Sequence, residues 1–340
     1  MNIIIDAMGG DNAPVEILKG AAAAVQEYGV QITAVGRVEK LEAAMKENAI
    51  EPAGITLVNA TEQIEMCDEP TVAIRHKKNS SMVVGLRLLT DGKGDAFVSA
   101  GSTGALLAGA TLIVKRLKGV KRPAIAAVVP GAVQPYVLID SGANVECRPE
   151  MLSAFATMGS VYAEKVLNRT QPKVGLVNNG TEETKGTPDY VAAHALLKAN
   201  QSICFVGNVE PKDVPSGAVD VIVCDGFVGN IILKLTEGVA KMLVGEIKKV
   251  FKSSLVSKIA YLMVKGGMRD FKKLLDADEA GGALMMGVCA PVIKAHGSSN
   301  AKAIKNAIRQ ARDCVDGRVV ESIRDKLAAT GTEEQNGENA

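Results

Sequence analysis

Six short apolar runs in this chain each end in a loop that combines glycine with Ser, Thr, Asn or Asp. IIID runs into AMGGD (Ala7–Asp11), FVSA into GSTGA (Gly101–Ala105) and VLID into SGAN (Ser141–Asn144). GLVN runs into NGTEETKG (Asn179–Gly186), VIVC into DGFVGN (Asp225–Asn230) and VIKA into HGSSN (His296–Asn300). Helix-like stretches follow strand-like runs at Pro14–Tyr28, Val38–Asn48, Thr103–Leu117, Glu150–Leu167, Pro188–Ala199, Asn230–Val250 and Ala301–Leu327. Strands alternating with helices predict βαβ units, hence an α/β fold with an open, mostly parallel sheet flanked by helices. Such sheets bind ligands outside the carboxyl ends of their strands. Six polar strand ends therefore predict one shared polar site.

Composition excludes several classes. Aromatic residues make up 3% of the chain and Trp is absent, while 34 of 340 residues are Gly. That favours helices lying close on a sheet over an aromatic-rich sandwich. The net charge of +1 removes the global basic field of a nucleic-acid binder. Cys67, Cys147, Cys204, Cys224, Cys289 and Cys314 form no C-x-x-C pair. They read as buried free thiols of a reducing, cytoplasmic compartment. No secretory leader pattern opens the chain, and no apolar run approaches the roughly 20 residues of a membrane span. We expect one domain over residues 1–331 and a polar, disordered tail over Thr332–Ala340.

The loops fit few chemistries. No G-x-G-x-x-G follows a strand, so a dinucleotide fingerprint is missing. Gly180–Thr187 approaches a Walker A loop, but its Lys185-Gly186 order is reversed, and Glu182 and Glu183 oppose a triphosphate. His76, His194 and His296 lack metal-ligand spacing, and no G-x-S-x-G elbow is present. Asp6, Asp11, Asp140 and Asp225 read as helix caps or as acids orienting nearby amides, in preference to a Mg²⁺ site. No metal or cofactor is expected. What remains is a set of backbone N–H groups, hydroxyls, amides and a cation, which suits a small oxyanion such as free phosphate. Gly9 and Gly10 let the backbone come close. Ser102, Thr103, Gly104, Ser298 and Lys185 are candidate anion ligands. The basic stretch Arg75–Ser81 either adds charge or is a solvated helix end.

From Gly245 to Leu275 the chain carries eight Lys or Arg against Glu246 and Asp270. Lys248, Lys249, Lys252, Lys258 and Lys265 alternate with apolar residues such as Leu255 and Leu262. A helical, basic amphipathic protrusion over about 240–278 is expected. It suits an anionic membrane surface, an acidic protein partner or a packing face.

Taken in order, DAMGGD, the stretch Arg75–Met82, TGA (Thr103–Ala105), GAN (Gly142–Asn144), GTEETKG (Gly180–Gly186), DGFVGN and APVIKAHGSS (Ala290–Ser299) resemble the bacterial phosphate acyltransferases of phospholipid synthesis, the PlsX type. The resemblance covers about Asn2 to Leu327. Ala280 departs from it, standing where the family usually has an aromatic residue before the glycines. The resemblance implies a phosphotransacetylase-like fold and a homodimer. It implies attack of inorganic phosphate on the thioester of an acyl–acyl carrier protein. The resulting acyl phosphate would feed a glycerol-3-phosphate acyltransferase in phosphatidic acid synthesis, with peripheral membrane contact in some members.

Under that reaction Lys185, Ser102 and Thr103 would hold phosphate, with Asp6 and Asp11 capping the next helix and orienting its donors. Asn144, Asn179 and Asn230 would meet the carbonyl or pantetheine amides near Asp225, and His296 would protonate the leaving thiolate. The rivals are an acyl-CoA-dependent phosphotransacylase, a non-catalytic scaffold for membrane and carrier protein, and a metal-dependent hydrolase.

Overall fold

The computed structural model describes residues 1–274, 279 and 281–337. The first half is built of β1 (Asn2–Asp6), α1 (Val15–Tyr28), β2 (Gln31–Gly36), α2 (Val38–Glu47), β3 (Ile55–Asn59), α3 (Pro70–His76), α4 (Ser81–Thr90), β4 (Ala96–Ser99) and α5 (Thr103–Gly109). The middle holds β5 (Ala124–Val129), β6 (Tyr136–Ile139), α6 (Pro149–Lys165), β7 (Lys173–Val177), α7 (Pro188–Ala199), β8 (Cys204–Val209) and β9 (Val221–Val223). The chain continues through α8 (Gly226–Lys252), α9 (Leu255–Leu274), β10 (Ala283–Met286), β11 (Val292–Lys294), α10 (Ala301–Asp316) and α11 (Val319–Gly337).

The eleven strands among the described residues form one sheet in the order β3-β2-β1-β4-β11-β10-β5-β6-β9-β7-β8. Parallel neighbours dominate, as expected. Three antiparallel pairings, β11–β10, β10–β5 and β5–β6, interrupt them. They have a consequence that the sequence did not reveal. β1, β4 and β11 run one way, whereas β6, β9 and β7 run the other. The six polar strand ends therefore fall into two groups of three, which leave their strands in opposite senses along the sheet.

Alternating side chains sort the core onto the two faces. Ile3, Ile5, Val137 and Ile139 join one cluster with α1, α6 and α10. Ile4 and Phe97 face α3, α4 and α5 in a second. Tyr136, Leu138 and Ile222 meet the start of α8 in a third. Gly20 is where α1 crosses α10: a Cβ there would lie 2.6 Å from Ile304 Cβ and 2.7 Å from Ala301 O.

Several boundaries differ from expectation. The helix expected over Thr103–Leu117 is α helix only to Gly109 and becomes a π turn over Ala110–Val114. The single helix expected over Ala301–Leu327 breaks at Gly317-Arg318, where Arg318 takes φ 51°. α11 continues to Gly337, through most of the segment expected as a disordered tail. Residues 338–340, the end 275–278 of the expected protrusion, and Ala280 lie outside the described residues. Cys147, Cys224 and Cys314 are buried, but Cys67, Cys204 and Cys289 are exposed, on loops and an edge strand, so the expectation that all six thiols are buried fails for three.

Candidate active site

The first loop group interlocks at the ends of β1, β4 and β11. Asp6 is buried and accepts from the Ser99 hydroxyl at 2.8 Å and from Met8 N at 3.2 Å. Burial pushes its carboxyl above the usual range, while hydrogen bonds from Ser81, Ser99 and the Met8 and Gly9 amides pull the other way. Asp6 therefore caps no helix; it ties the β1 loop to β4 and to α4. Gly9 is obligatory here, since a Cβ would stand 2.4 Å from Asp6 Oδ2 and 2.8 Å from Gly101 N. Asp11 N donates to Gly297 O at 2.8 Å, and Asn12 Nδ2 reaches Ser298 O and Ser299 O at 3.1 and 3.2 Å. Asp11 is not the cap of α1 either: Pro14 occupies that position without a side-chain bond.

Ser102 caps α5 through Ala105 N at 3.4 Å, with Thr103 and Gly104 in its first turn. His296 is exposed, and its Nδ1 takes the Ser298 backbone N–H at 3.2 Å and lies 2.8 Å from Ser298 Oγ. An acceptor role at Nδ1 assigns the ring proton to Nε2. Ser299 Oγ is buried with no hydrogen-bond partner among the described residues.

Lys294 is the residue that sequence reasoning missed. It ends β11 beside this group and donates to Ala100 O at 3.3 Å and to Ala295 O. Desolvation lowers its ammonium to about 8, opposed by the charges of Asp6 and Asp11 and reinforced by that of Lys234. In sequence it stands inside the run VIKA, which carries no role there beyond preceding a loop. The usable signal was its position at a strand end, directly before the HGSSN loop.

The second group gathers at the ends of β6, β9 and β7. Asp140 is wholly buried and accepts five bonds: from the Ile125, Gly142, Ala143 and Asn144 amides and from Asn144 Nδ2, all at 2.8–3.1 Å. It orients amides, one of the two readings given to the loop acids. Asn144 spends its amide on Asp140 and on Pro123 O at 2.8 Å. Asp225 caps α8 through Val228 N at 2.8 Å and receives the Tyr190 hydroxyl at 2.6 Å. The loop after β7 is exposed. Buried Asn178 fastens it by donating to Lys185 O at 2.9 Å and by accepting from Asn179 N. Lys185 Nζ is 4.0 Å from Glu182 Oε1 and otherwise faces solvent. No hydrogen bond among the described residues joins Lys185 to Ser102 or Thr103. Of the basic stretch Arg75–Ser81, Lys77 is engaged by Asp68 at 2.5 Å, and Arg75 and His76 close α3.

One helix connects the two groups. The first turn of α8 lies against the Asp140 loop so closely that a Cβ at Gly229 would sit 1.9 Å from Asp140 O. Asn230 borders Gly142. Lys234, one turn on and on the same face, acts on Lys294 and pairs with Glu237 at 2.9 Å. Among the described residues no group of three or more His, Cys, Asp or Glu is arranged for a metal ion.

Comparison with known proteins places this architecture. The model of a family described as "Fatty acid synthesis protein" matches residues 1–322. The phosphate acyltransferase of Alkaliphilus oremlandii is 47% identical over 334 residues, covering 98% of this chain and 99% of that one. That of Clostridium botulinum is 46% identical over 328 residues, covering 96% and 98%. The chain belongs to this phosphate acyltransferase family. It is an acyltransferase, and the motif resemblance read in the sequence holds. Among solved structures, a phosphotransacetylase from Streptococcus pyogenes superposes with a TM-score of 0.63 at 17% identity, covering 94% of each chain. The EutD phosphotransacetylase from Staphylococcus aureus gives 0.62 at 19%, covering 92% of this chain and 94% of that one. The phosphotransacetylase-like fold is therefore shared.

Proposed function

We propose that this acyltransferase moves a fatty acyl group from the thioester of an acyl carrier protein to inorganic phosphate, producing acyl phosphate for phosphatidic acid synthesis. The observation that carries this reading is the first loop group. Three strand ends, two glycines at close approach and the capped start of α5 surround one half-buried lysine, with no nucleotide fingerprint beside them. Phosphate at neutral pH is largely dianionic and needs no strong base to attack a thioester. The site instead has to hold two reactants together, which contributes up to about 7–11 kcal/mol, and to stabilise the oxyanion, at about 3–4 kcal/mol per donor.

Ser102, Thr103 and Gly104 at the start of α5, with Gly9, Gly10 and Ser298, form the phosphate cradle, and Lys185 brings its charge from the loop after β7. Asn144 is spent on its own loop and acts by shaping it. Asn230 and Asn179 are the donors for the carbonyl or pantetheine amides, and Asp225 fixes the helix that bears Asn230. His296 offers its Nε2–H to the oxyanion.

The protrusion contacts an anionic membrane surface, next to the glycerol-3-phosphate acyltransferase that uses the product. α8 is about 40 Å long and runs outward into α9, where Leu255, Ile259, Leu262 and Met263 are exposed among Lys258 and Lys265. Among the described residues no helix is long and apolar enough to cross a membrane. A homodimer would cover the apolar flank of α8 that bears Leu235, Val239 and Met242.

The deciding assay is incorporation of labelled phosphate into acyl phosphate from acyl–acyl carrier protein, with acyl-CoA run in parallel. Equal or greater turnover with acyl-CoA would replace the carrier-protein donor. Binding of carrier protein with no turnover of either donor would leave a scaffold.

A further inference from the structure

Acyl transfer from sulfur to phosphate leaves a proton-accounting problem inside the site. The attacking hydrogen phosphate dianion carries one proton on oxygen. The leaving thiolate needs one. The mixed anhydride formed between them is a far stronger acid than phosphate was, so it must release the proton it inherited. A group between the two that can give a proton and take one back closes the reaction without solvent.

His296 is poorly built for this work. Its Nδ1 accepts a backbone N–H from Ser298, and a second proton there would face that donor and break the bond. Lys185 lies largely in solvent. Lys294 differs from both. It stands at the end of β11, between the Asp6 loop and the loop containing His296, with two of its donors anchored on Ala100 O and Ala295 O. It has no further hydrogen-bond partner among the described residues. The charged groups facing it are Asp6 from β1, Asp11 from the following loop and Lys234 from α8, which is itself paired with Glu237; His296 follows on its own segment. Two carbonyls fix the nitrogen, and two acids and a cation set its charge, where a surface lysine would have water.

We propose that Lys294 is the proton carrier of the acyl transfer, giving a proton from its ammonium to the leaving sulfur and recovering one from the phosphate hydroxyl. The inference rests on the transfer reaction proposed above. In the step, a phosphate oxygen forms a bond to the thioester carbon and the carbon–sulfur bond breaks. The sulfur's electron pair takes a proton from Lys294 Nζ, and the neutral amine then takes the P–OH proton of the new acyl phosphate. Hydrogen phosphate dianion and thioester become acyl phosphate dianion and thiol, and the lysine ends as it began. The low ammonium pKa, about 8, lies near the 8.5 of an ordinary thiol, so neither transfer is steeply uphill.

The test compares wild type, Lys294→Arg and Lys294→Met, with acyl–acyl carrier protein and inorganic phosphate between pH 6 and 10. Arginine keeps the charge but cannot give up its proton. If Lys294 carries the proton, Lys294→Arg loses about 10²–10⁴-fold in kcat while its phosphate KM changes less than about threefold. The wild-type kcat then falls above pH 8, and that alkaline limb is missing from Lys294→Arg. Near-normal kcat in Lys294→Arg would make Lys294 a charge only, and a raised KM at unchanged kcat would make it a binding group; either overturns the proposal. If neither variant folds, the wild-type profile decides alone, because a kcat that stays flat to pH 10 excludes a carrier of this pKa. Failure of the transfer reading shows separately, as wild-type protein that makes no acyl phosphate at any pH.

Discussion

The Tyr190 hydroxyl donates to Asp225 Oδ2 at 2.6 Å and accepts the backbone N–H of Asp225 at 3.1 Å, gripping one residue at two points. Asp225 is the cap of α8, and α8 carries Asn230 toward the Asp140 loop and Lys234 toward Lys294. A tyrosine on α7 thus sets the entry angle of the helix that joins the two halves of the site. Neither residue has to touch substrate for this to matter.

Tyr190→Phe should leave the fold intact and lower stability by about 1–3 kcal/mol, the cost of removing a hydrogen bond to a charged acceptor. Equilibrium unfolding in urea measures this. Because the start of α8 loosens, kcat should fall more than the phosphate KM rises. Unchanged stability and turnover together would remove the clamp from the account.

Asp140→Ala should be far more damaging. Five donors lose their acceptor in a fully buried place, each costing about 1–3 kcal/mol if left unpaired. Even with partial relaxation the loss should reach about 4 kcal/mol or more, which calorimetry would record as a collapse of Tm. Asp140→Asn retains one side-chain oxygen as an acceptor and should lie between.

How much of this was legible beforehand depends on the range of the interactions involved. β1 and β7 follow from short apolar runs that end in polar loops, and α7 from the helix pattern that starts at Pro188, all local signals. β10 did not show, because ALMM is short and flanked by glycines and is a strand only through its neighbours β11 and β5. With it went the reversal of strand direction, so six loops that looked equivalent in sequence leave strands of two opposite senses. α3 and α4 were hidden behind the charge of Arg75–Lys78, although Glu69 and Ser80 are good caps for them. The glycines and acids of the site were found by type, but their partners were not. Asp6 works on Ser99, which is 93 residues away, and Lys294 is set apart first by its burial and then by Asp6, Asp11 and Lys234, all distant in the chain.

High pH should unfold the protein through its buried tyrosines. Burial pushes Tyr136 up to about 12, and burial also raises Tyr162 and Tyr190. The unfolded chain loses these protons near pH 10, while the folded chain keeps them. The unfolded state therefore binds fewer protons, and stability falls as pH rises between about 10 and 12. Urea titrations at pH 9, 10 and 11 should give a steadily falling midpoint. Tyr136→Phe should lessen the slope, since the Tyr136 hydroxyl has no hydrogen-bond partner among the described residues to lose.

Lys185→Ala should separate function from stability. The side chain makes a single 4.0 Å approach to a glutamate, and both are solvent-exposed, a pairing that contributes little. Thermal unfolding should therefore be unchanged within about 0.5 kcal/mol, while the phosphate KM rises or kcat collapses. Near-normal kinetics would take Lys185 out of the site and leave the amides and hydroxyls of the first loop group to hold the anion.

The protrusion offers the last test. Leu262 and Met263 are 68% and 84% exposed on α9, so replacing Leu262 with Glu should cost the fold almost nothing. It would place an anion in the face that meets the bilayer and remove part of its apolar area. Flotation with vesicles containing anionic lipid should carry wild type upward and leave Leu262→Glu behind. High salt should weaken wild-type binding, since each lysine near the surface contributes about 1 kcal/mol. If both proteins float alike, the exposed face of α9 serves another partner. Chromatographic retention on immobilised carrier protein, lost in Lys258→Glu and Lys265→Glu, would identify that partner as the acyl donor.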